Sequence, residues 1–335
     1  MTPDAIEGLA EVVRAAEVVS PAGFRLAGRD FAGPPGAPPR PDGAALLPLL
    51  QGALYEHCYA HPFRGALHVP PAAAPPDDDL LPALAAAHPG RERWETGWQI
   101  VQLLPAGQVV ARRFGATRFL WPGEFLTHGA PGMPPVPGGA ASVFVPRDSA
   151  TAQPGFYFAF GETPGDPLDD GALVRFYWAV RDAGAAALLR AVVGTLNGWG
   201  VPFRFKCLSR RTAYPRTDAA VLYVGRRYFR LAAELALELR GGLAAHLGAE
   251  TPLFARRLAP GLAFAEDPAG GESFGMHRCG ILAEGLWSAF LRGARTPDAR
   301  LAEVAATFRR RGVEPGRAHL NPGSPHRYDL PAHDA

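Results

Sequence analysis

VPFRFKCL, residues 201–208, and LVRFYWAV, residues 173–180, each alternate between two kinds of side chain. In the second stretch Val174, Phe176, Trp178 and Val180 share one face of an extended chain, which leaves Arg175 and Tyr177 on the other. In the first, Phe203, Phe205 and Cys207 oppose Arg204 and Lys206. Both stretches read as strands with one face for packing and one for chemistry.

Around them, strands are expected at 154–161 and 219–224, and helices at 183–197, 226–240, 273–292 and 297–311. This pattern predicts an α+β domain, a twisted and mostly antiparallel sheet backed by helices. The first half is broken by Pro/Gly-rich stretches at 32–43, 70–79 and 129–141, read as linkers or surface loops. Between these, helices are expected at 3–18, 44–59 and 80–88, then strands at 96–104 and 108–114. The division drawn is a mainly helical N-terminal region, 1–142, and a second domain, 143–330.

The chain has 335 residues, 47% apolar and 20% charged, the balance of a globular protein able to build a core. A formal net charge of only +2 gives no basic field for nucleic acid or an anionic membrane, so any anion site is local. Three cysteines without CxxC spacing speak against a disulfide framework or structural zinc and suit a reducing cytoplasm. Asp4, Glu7 and Glu11 interrupt the apolar N-terminal run, so it reads as an amphipathic helix and not as a signal peptide or membrane span.

Of the 34 Lys and Arg residues, 33 are Arg, and Lys206 is the only lysine. Arginine does the surface work of lysine but cannot act as a base, because it does not lose its proton in a protein. Lys206 is either a chance survivor on the surface or a residue kept for its chemistry. Its mid-strand position favours the second, because proton abstraction needs a positioned amine.

Downstream, SRRTAYPRTD places Arg210, Arg211 and Arg216 around a Tyr-Pro turn, and guanidinium forks match phosphate oxygens. GESFGMHRCGILAEGLW reads as a loop entering a helix, with His277 and Arg278 in a first turn that already attracts anions. Taken singly, Arg210 and Arg211 read as partners of acidic residues, and His277 as a satisfied polar group. Only the grouping of one lysine with several arginines points to function.

Competing motifs are weaker. GESFG, 271–275, matches the nucleophile elbow of hydrolases, with Asp298 and His319 or His326 as conceivable partners, but no strand runs directly into it. Ser273 fits a helix N-cap better. His57 and His61, with Cys58 beside them, have metal-ligand spacing on a helix, yet no further ligand cluster accompanies them, and no metal is assigned. No phosphate-binding loop, dinucleotide fingerprint or kinase signature occurs, and no cofactor is expected.

The run LNGWGVPFRFKCLSRRTAYPRTDAAVLYV, with SFGMHRCGILAEGL and LNPGSPHRYDL, resembles the HopA-type effector family of bacterial type III secretion. The likeness covers roughly residues 150–330, with a weaker anchor at Tyr55, Tyr59 and Pro62. That family looks distantly related to phosphothreonine lyases, which use a lysine base, a nearby acid and several phosphate-holding arginines. The resemblance implies Lys206 as base and Arg175, Arg216 and Arg278 as phosphate ligands; Arg204, which alternation puts on the face of Lys206, is read as a further phosphate ligand. A histidine acid is expected where Tyr177 stands, so Tyr177 or His277 is the implied acid. Relatives in class V lanthipeptide and thioamitide biosynthesis act beside a separate phosphotransferase-like kinase that phosphorylates Ser or Thr in a precursor peptide. The implied activity is β-elimination of that phosphate to dehydroalanine or dehydrobutyrine. The alternative is a non-catalytic effector-like or phosphopeptide-binding module.

Overall fold

A computed structural model describes residues 3–33, 43–70, 77–130, 132–166, 169, 171–268 and 270–329. At its centre lies a seven-stranded sheet in which every neighbouring pair runs antiparallel. In spatial order its strands are β14 (Arg256–Ala259), β15 (Leu262–Glu266), β11 (Leu173–Trp178), β13 (Ala220–Gly225), β12 (Phe203–Leu208), β10 (Phe156–Phe160) and β9 (Asp148–Ser149). The α+β class expected from the alternation is what the chain adopts.

One face of the sheet carries Val174, Phe176, Trp178, Phe203, Phe205 and Cys207, as the alternation requires. Helices α4 (Asp182–Gly198) and α5 (Phe229–Gly242) cover it. From α4 come Leu188, Leu189, Val192, Val193 and Leu196, all buried; each gains roughly 1.5–3 kcal/mol gross from leaving water. The opposite face holds Tyr177, Val221, Tyr223, Ala263 and Ala265 in a second core with α2 (Leu46–Leu54) and α6 (Phe274–Leu291). This sheet is therefore covered on both sides; Arg175 and Lys206 are buried on it, while Arg204 is exposed.

Helix α6 is capped by Ser273, whose Oγ accepts from the Met276 N–H at 3.2 Å, and α7 (Pro297–Arg310) is capped by Thr296. Asp298 lies in the first turn of α7, while His319 and His326 line a separate cavity with Arg256 and Tyr328. The hydrolase-like GESFG is thus a helix start.

The N-terminal part contains α1 (Pro3–Ala15), α2 and α3 (Leu81–Ala87) near the expected positions. It also holds more strand than expected. The first helix stops at Ala15 because the β-branched AEVVS enters a three-stranded antiparallel sheet of β1 (Ala16–Ser20), β2 (Gly23–Leu26) and β3 (Arg29–Ala32). A five-stranded sheet pairs β4 (Arg93–Leu103), β5 (Val109–Arg113), β6 (Ala116–Leu120), β7 (Phe125–Thr127) and β8 (Ala140–Val145) in the order β6-β5-β4-β8-β7. Residue 142 falls inside β8, and α1 and α2 pack in the same core as Tyr177 and Phe274. The Pro/Gly-rich segments 34–42 and 71–76, expected as linkers, lie outside the described residues. Among the described residues no helix is long and apolar enough to cross a membrane.

Candidate active site

Strand register decides which side chains meet. Ala265, Arg175, Tyr223, Arg204 and Phe160 form one row across five strands, and Ala263, Tyr177, Val221, Lys206 and Phe158 form the row two residues along. With strands about 4.8 Å apart, Arg175 and Arg204 stand about 10 Å apart with Tyr223 between them. Tyr177 and Lys206 are likewise separated by Val221. The small Ala263 and Ala265 flank Tyr177 and Arg175 and are buried in the core beneath α6.

Lys206 is only 7% exposed. Its Nζ donates to Gln153 Oε1 at 2.8 Å and lies 4.2 Å from the centroid of the Phe156 ring, with Phe158 and Tyr223 further around it. Burial pulls its pKa down to about 8; Asp218 and Asp267 oppose that shift, while Arg175 and Arg216 reinforce it. A lysine so placed is neutral often enough at ordinary pH to accept a proton.

Guanidiniums surround it. Arg175 and Arg204 stack over Tyr223 at 4.9 and 5.6 Å from the ring centroid. Arg175 is ion-paired with Asp267, and its buried Nε has no hydrogen-bond partner. Arg216 grips both oxygens of Asp218, Nε to Oδ1 at 2.8 Å and Nη2 to Oδ2 at 2.9 Å, and Nη2 also donates to Tyr55 Oη at 3.0 Å. The turn bearing Arg216 is pinned by Thr217, whose N–H donates to the Ala60 carbonyl and whose hydroxyl donates to the Tyr59 carbonyl at 2.6 Å. Tyr55 and Tyr59 belong to a π-helical extension of α2, Tyr55–Ala60. Four cations, Arg175, Arg204, Lys206 and Arg216, thus meet two carboxylates, Asp218 and Asp267. The excess positive charge suits a dianion.

The HopA1 effector protein family matches this chain over residues 147–320, the segment that builds the central sheet and these cations. The chain belongs to that family. Two solved structures resemble it, effector proteins from Pseudomonas syringae pv. tomato strain DC3000 and pv. syringae strain 61. They are 22% and 20% identical, with TM-scores of 0.39 and 0.35. Each likeness covers 50% of this chain and 62% of the other, so the chain spans less than two thirds of these relatives' length. No curated protein matches it.

Two site residues expected from the HopA1 resemblance are placed elsewhere. Arg278 is fully buried, and its donors go to the carbonyls of Ala318 and Leu320, both at 2.8 Å, to Asn321 Oδ1 and to His277 Nδ1. It anchors the segment LNPGSPHRYDL and is not presented to a phosphate. Glu266 helps from the sheet, accepting from the Asn321 N–H and from the hydroxyls of Ser324 and Tyr328. Both signature segments are therefore clamps that fasten the C-terminus to β15. His277 lines a different pocket, with Gln51, Glu272, Glu284 and Arg311, and its Nδ1 is occupied by Arg278. It is not assembled with Lys206.

Tyr177 does share the face of Lys206, but it is 2% exposed, and burial pushes its phenol well above the ordinary range. It adjoins Tyr59, though its hydroxyl makes no hydrogen bond of good geometry. Arg210 and Arg211 pair with Asp78 and with Asp77 and Asp182, as acidic-partner arginines should. Gln153, Asp218, Asp267 and Tyr223 escaped the sequence reading; only Asp218, two residues after Arg216, carried a local signal.

The His57–Cys58–His61 spacing does not assemble as such, because Cys58 is buried in the core. Among the described residues Glu56, His61 and His68 place one ligand atom each within 4.8 Å of one another, and could hold a metal ion. His61 and His68 stack with ring centroids 3.5 Å apart.

Proposed function

We propose that this chain is a phosphoserine/phosphothreonine lyase that acts on a peptide. Lys206 removes the α-proton, the electron pair forms the Cα=Cβ bond, and the Cβ–O bond breaks to release inorganic phosphate. Phosphoserine yields dehydroalanine and phosphothreonine yields dehydrobutyrine. The observation that carries the reading is a lone lysine, buried on a strand among guanidiniums, with its pKa lowered to about 8. At pH 7 about one molecule in ten then holds a neutral amine. Arg204, Arg175 and Arg216 offset charge on the departing phosphate without moving, as preorganised stabilisation requires. Tyr177, on the same sheet face and separated from Lys206 by Val221, is the proposed acid. The substrate is a precursor peptide phosphorylated by a separate phosphotransferase-like kinase in ribosomal peptide natural-product biosynthesis, in the cytoplasm.

Membership of an effector family favours a second reading, a non-catalytic effector-like module that binds a phosphopeptide. Incubation with a phosphothreonine peptide separates the two, since loss of phosphoric acid from the peptide mass occurs only with the enzyme.

A further inference from the structure

The five-stranded sheet and the central sheet face each other across a cavity of about 450 Å³. Arg93, Arg113 and Arg118 line it from one side, and Arg204 and Tyr223 from the other. Among the described residues its carboxylates are Glu95 and Asp169. Glu95 is taken by Arg93 and, at 3.4 Å, by Arg113, and Asp169 by Arg227 at 2.8 Å. Arg118 stacks over Trp98 at 5.7 Å and Arg204 over Tyr223, and among the described residues neither forms a close ion pair, although Arg204 lies in the field of Asp267. Among the described residues the buried Arg93 Nε and Trp98 indole N–H have no hydrogen-bond partner. Among the described residues donors and positive charge therefore exceed acceptors, a balance that favours an anionic ligand. Tyr223 is the wall between the cavity and the lysine face: its ring lines the cavity and is also approached by Arg175, Arg204 and Lys206.

We propose that this cavity holds an anionic flank of the peptide whose phosphorylated residue lies at Lys206. The proposal rests on the lyase reading for what occupies the lysine, and adds a substrate preference to it. The volume lies within the range of about 300–1,000 Å³ usual for ligand sites, enough for a few side chains. The flanking charge comes from Asp or Glu side chains or from a second phosphorylated residue; both present oxygens to guanidinium forks.

The test uses the full chain and three labelled peptides with one central phosphoserine, flanked on both sides by Ala, by Glu or by further phosphoserine. Fluorescence anisotropy gives each Kd, for the wild type and for Arg118→Ala and Arg118→Glu. An anionic flank is expected to tighten wild-type binding about tenfold, the yield of one charge-assisted contact. Both variants should lose most of that gain while binding the Ala-flanked peptide as before, and whichever flank responds identifies the source of the charge. Equal affinity for all three peptides, a gain that survives in Arg118→Glu, or no binding of any peptide overturns the proposal. Phosphate release is followed in parallel. A protein that discriminates flanks but releases no phosphate keeps the cavity and loses the lyase, and an active protein indifferent to flanks does the reverse.

Discussion

Lys206 combines two costs that a surface lysine avoids, loss of hydration and the neighbourhood of like charges. With its pKa lowered from 10.5 to about 8, it stays protonated in both folded and unfolded chains below about pH 8. Between about 8 and 10.5 the unfolded chain binds the extra proton, so this group's contribution to stability rises with pH across that window. Its size is on the order of 3 kcal/mol. Buried cysteines and tyrosines with raised pKa values oppose this trend, so the test is the difference between proteins: chemical denaturation should show the stability of the wild type relative to Lys206→Met increasing between pH 7 and pH 10. The same titration governs activity: kcat/KM for a phosphopeptide should rise with pH and level off above an apparent pKa of about 8. Arg278 teaches the converse. Arg278→Ala should cost about 2–4 kcal/mol of stability, measured by urea unfolding, because it strands buried carbonyls. Phosphopeptide affinity in the folded fraction should stay unchanged. Lys206 was legible because it is unique and mid-strand. Arg278 was not, because nothing local reveals that a guanidinium will cap carbonyls some forty residues later in the chain.

Register is the property of the elements that makes the site. Alternation in 173–180 and 201–208 was enough to assign faces, but the order of strands was not. The insertion of β13 between β11 and β12 puts Tyr223 among the cations, and β15 brings Asp267 to Arg175. Strands β14 and β15 were missed because RRLAPGLAFAE is short and three of its nine strand residues are alanine, which carries little strand signal. Helix α6 approaches closely on the same face: a Cβ at Gly275 would lie 2.4 Å from the Tyr59 ring, and one at Gly285 would lie 2.8 Å from the Val304 backbone. Gly275→Ala should therefore displace Tyr59 and the π turn that carries Tyr55. A loss of about 1–3 kcal/mol is expected, together with weaker phosphopeptide binding through Arg216. Gly285→Ala should destabilise by a similar amount through α7 while leaving affinity unchanged in the folded fraction. Urea unfolding with peptide titration distinguishes the pair.

At the scale of the molecule, the helices before residue 60 are part of the wall of the site. Leu46, Leu50, Leu54 and Tyr59 share a core with Tyr177, Val221, Tyr223 and Phe274. A chain begun at residue 143 should expose that face, and its thermal unfolding should lack the cooperative transition of the full chain. The composition break near 142 hid this, since Pro/Gly content reports on loops, not on which face a distant helix covers. The central claim concerns one atom, Lys206 Nζ. Its most direct test is the mass spectrum of a phosphothreonine peptide after incubation with the wild type and with Lys206→Arg, which keeps the charge but cannot supply a base. Loss of phosphoric acid with the wild type, slowed about 10²–10⁴-fold in the variant while peptide binding persists, is the predicted result. Equal turnover by the two proteins, or an unaltered peptide with both, contradicts it.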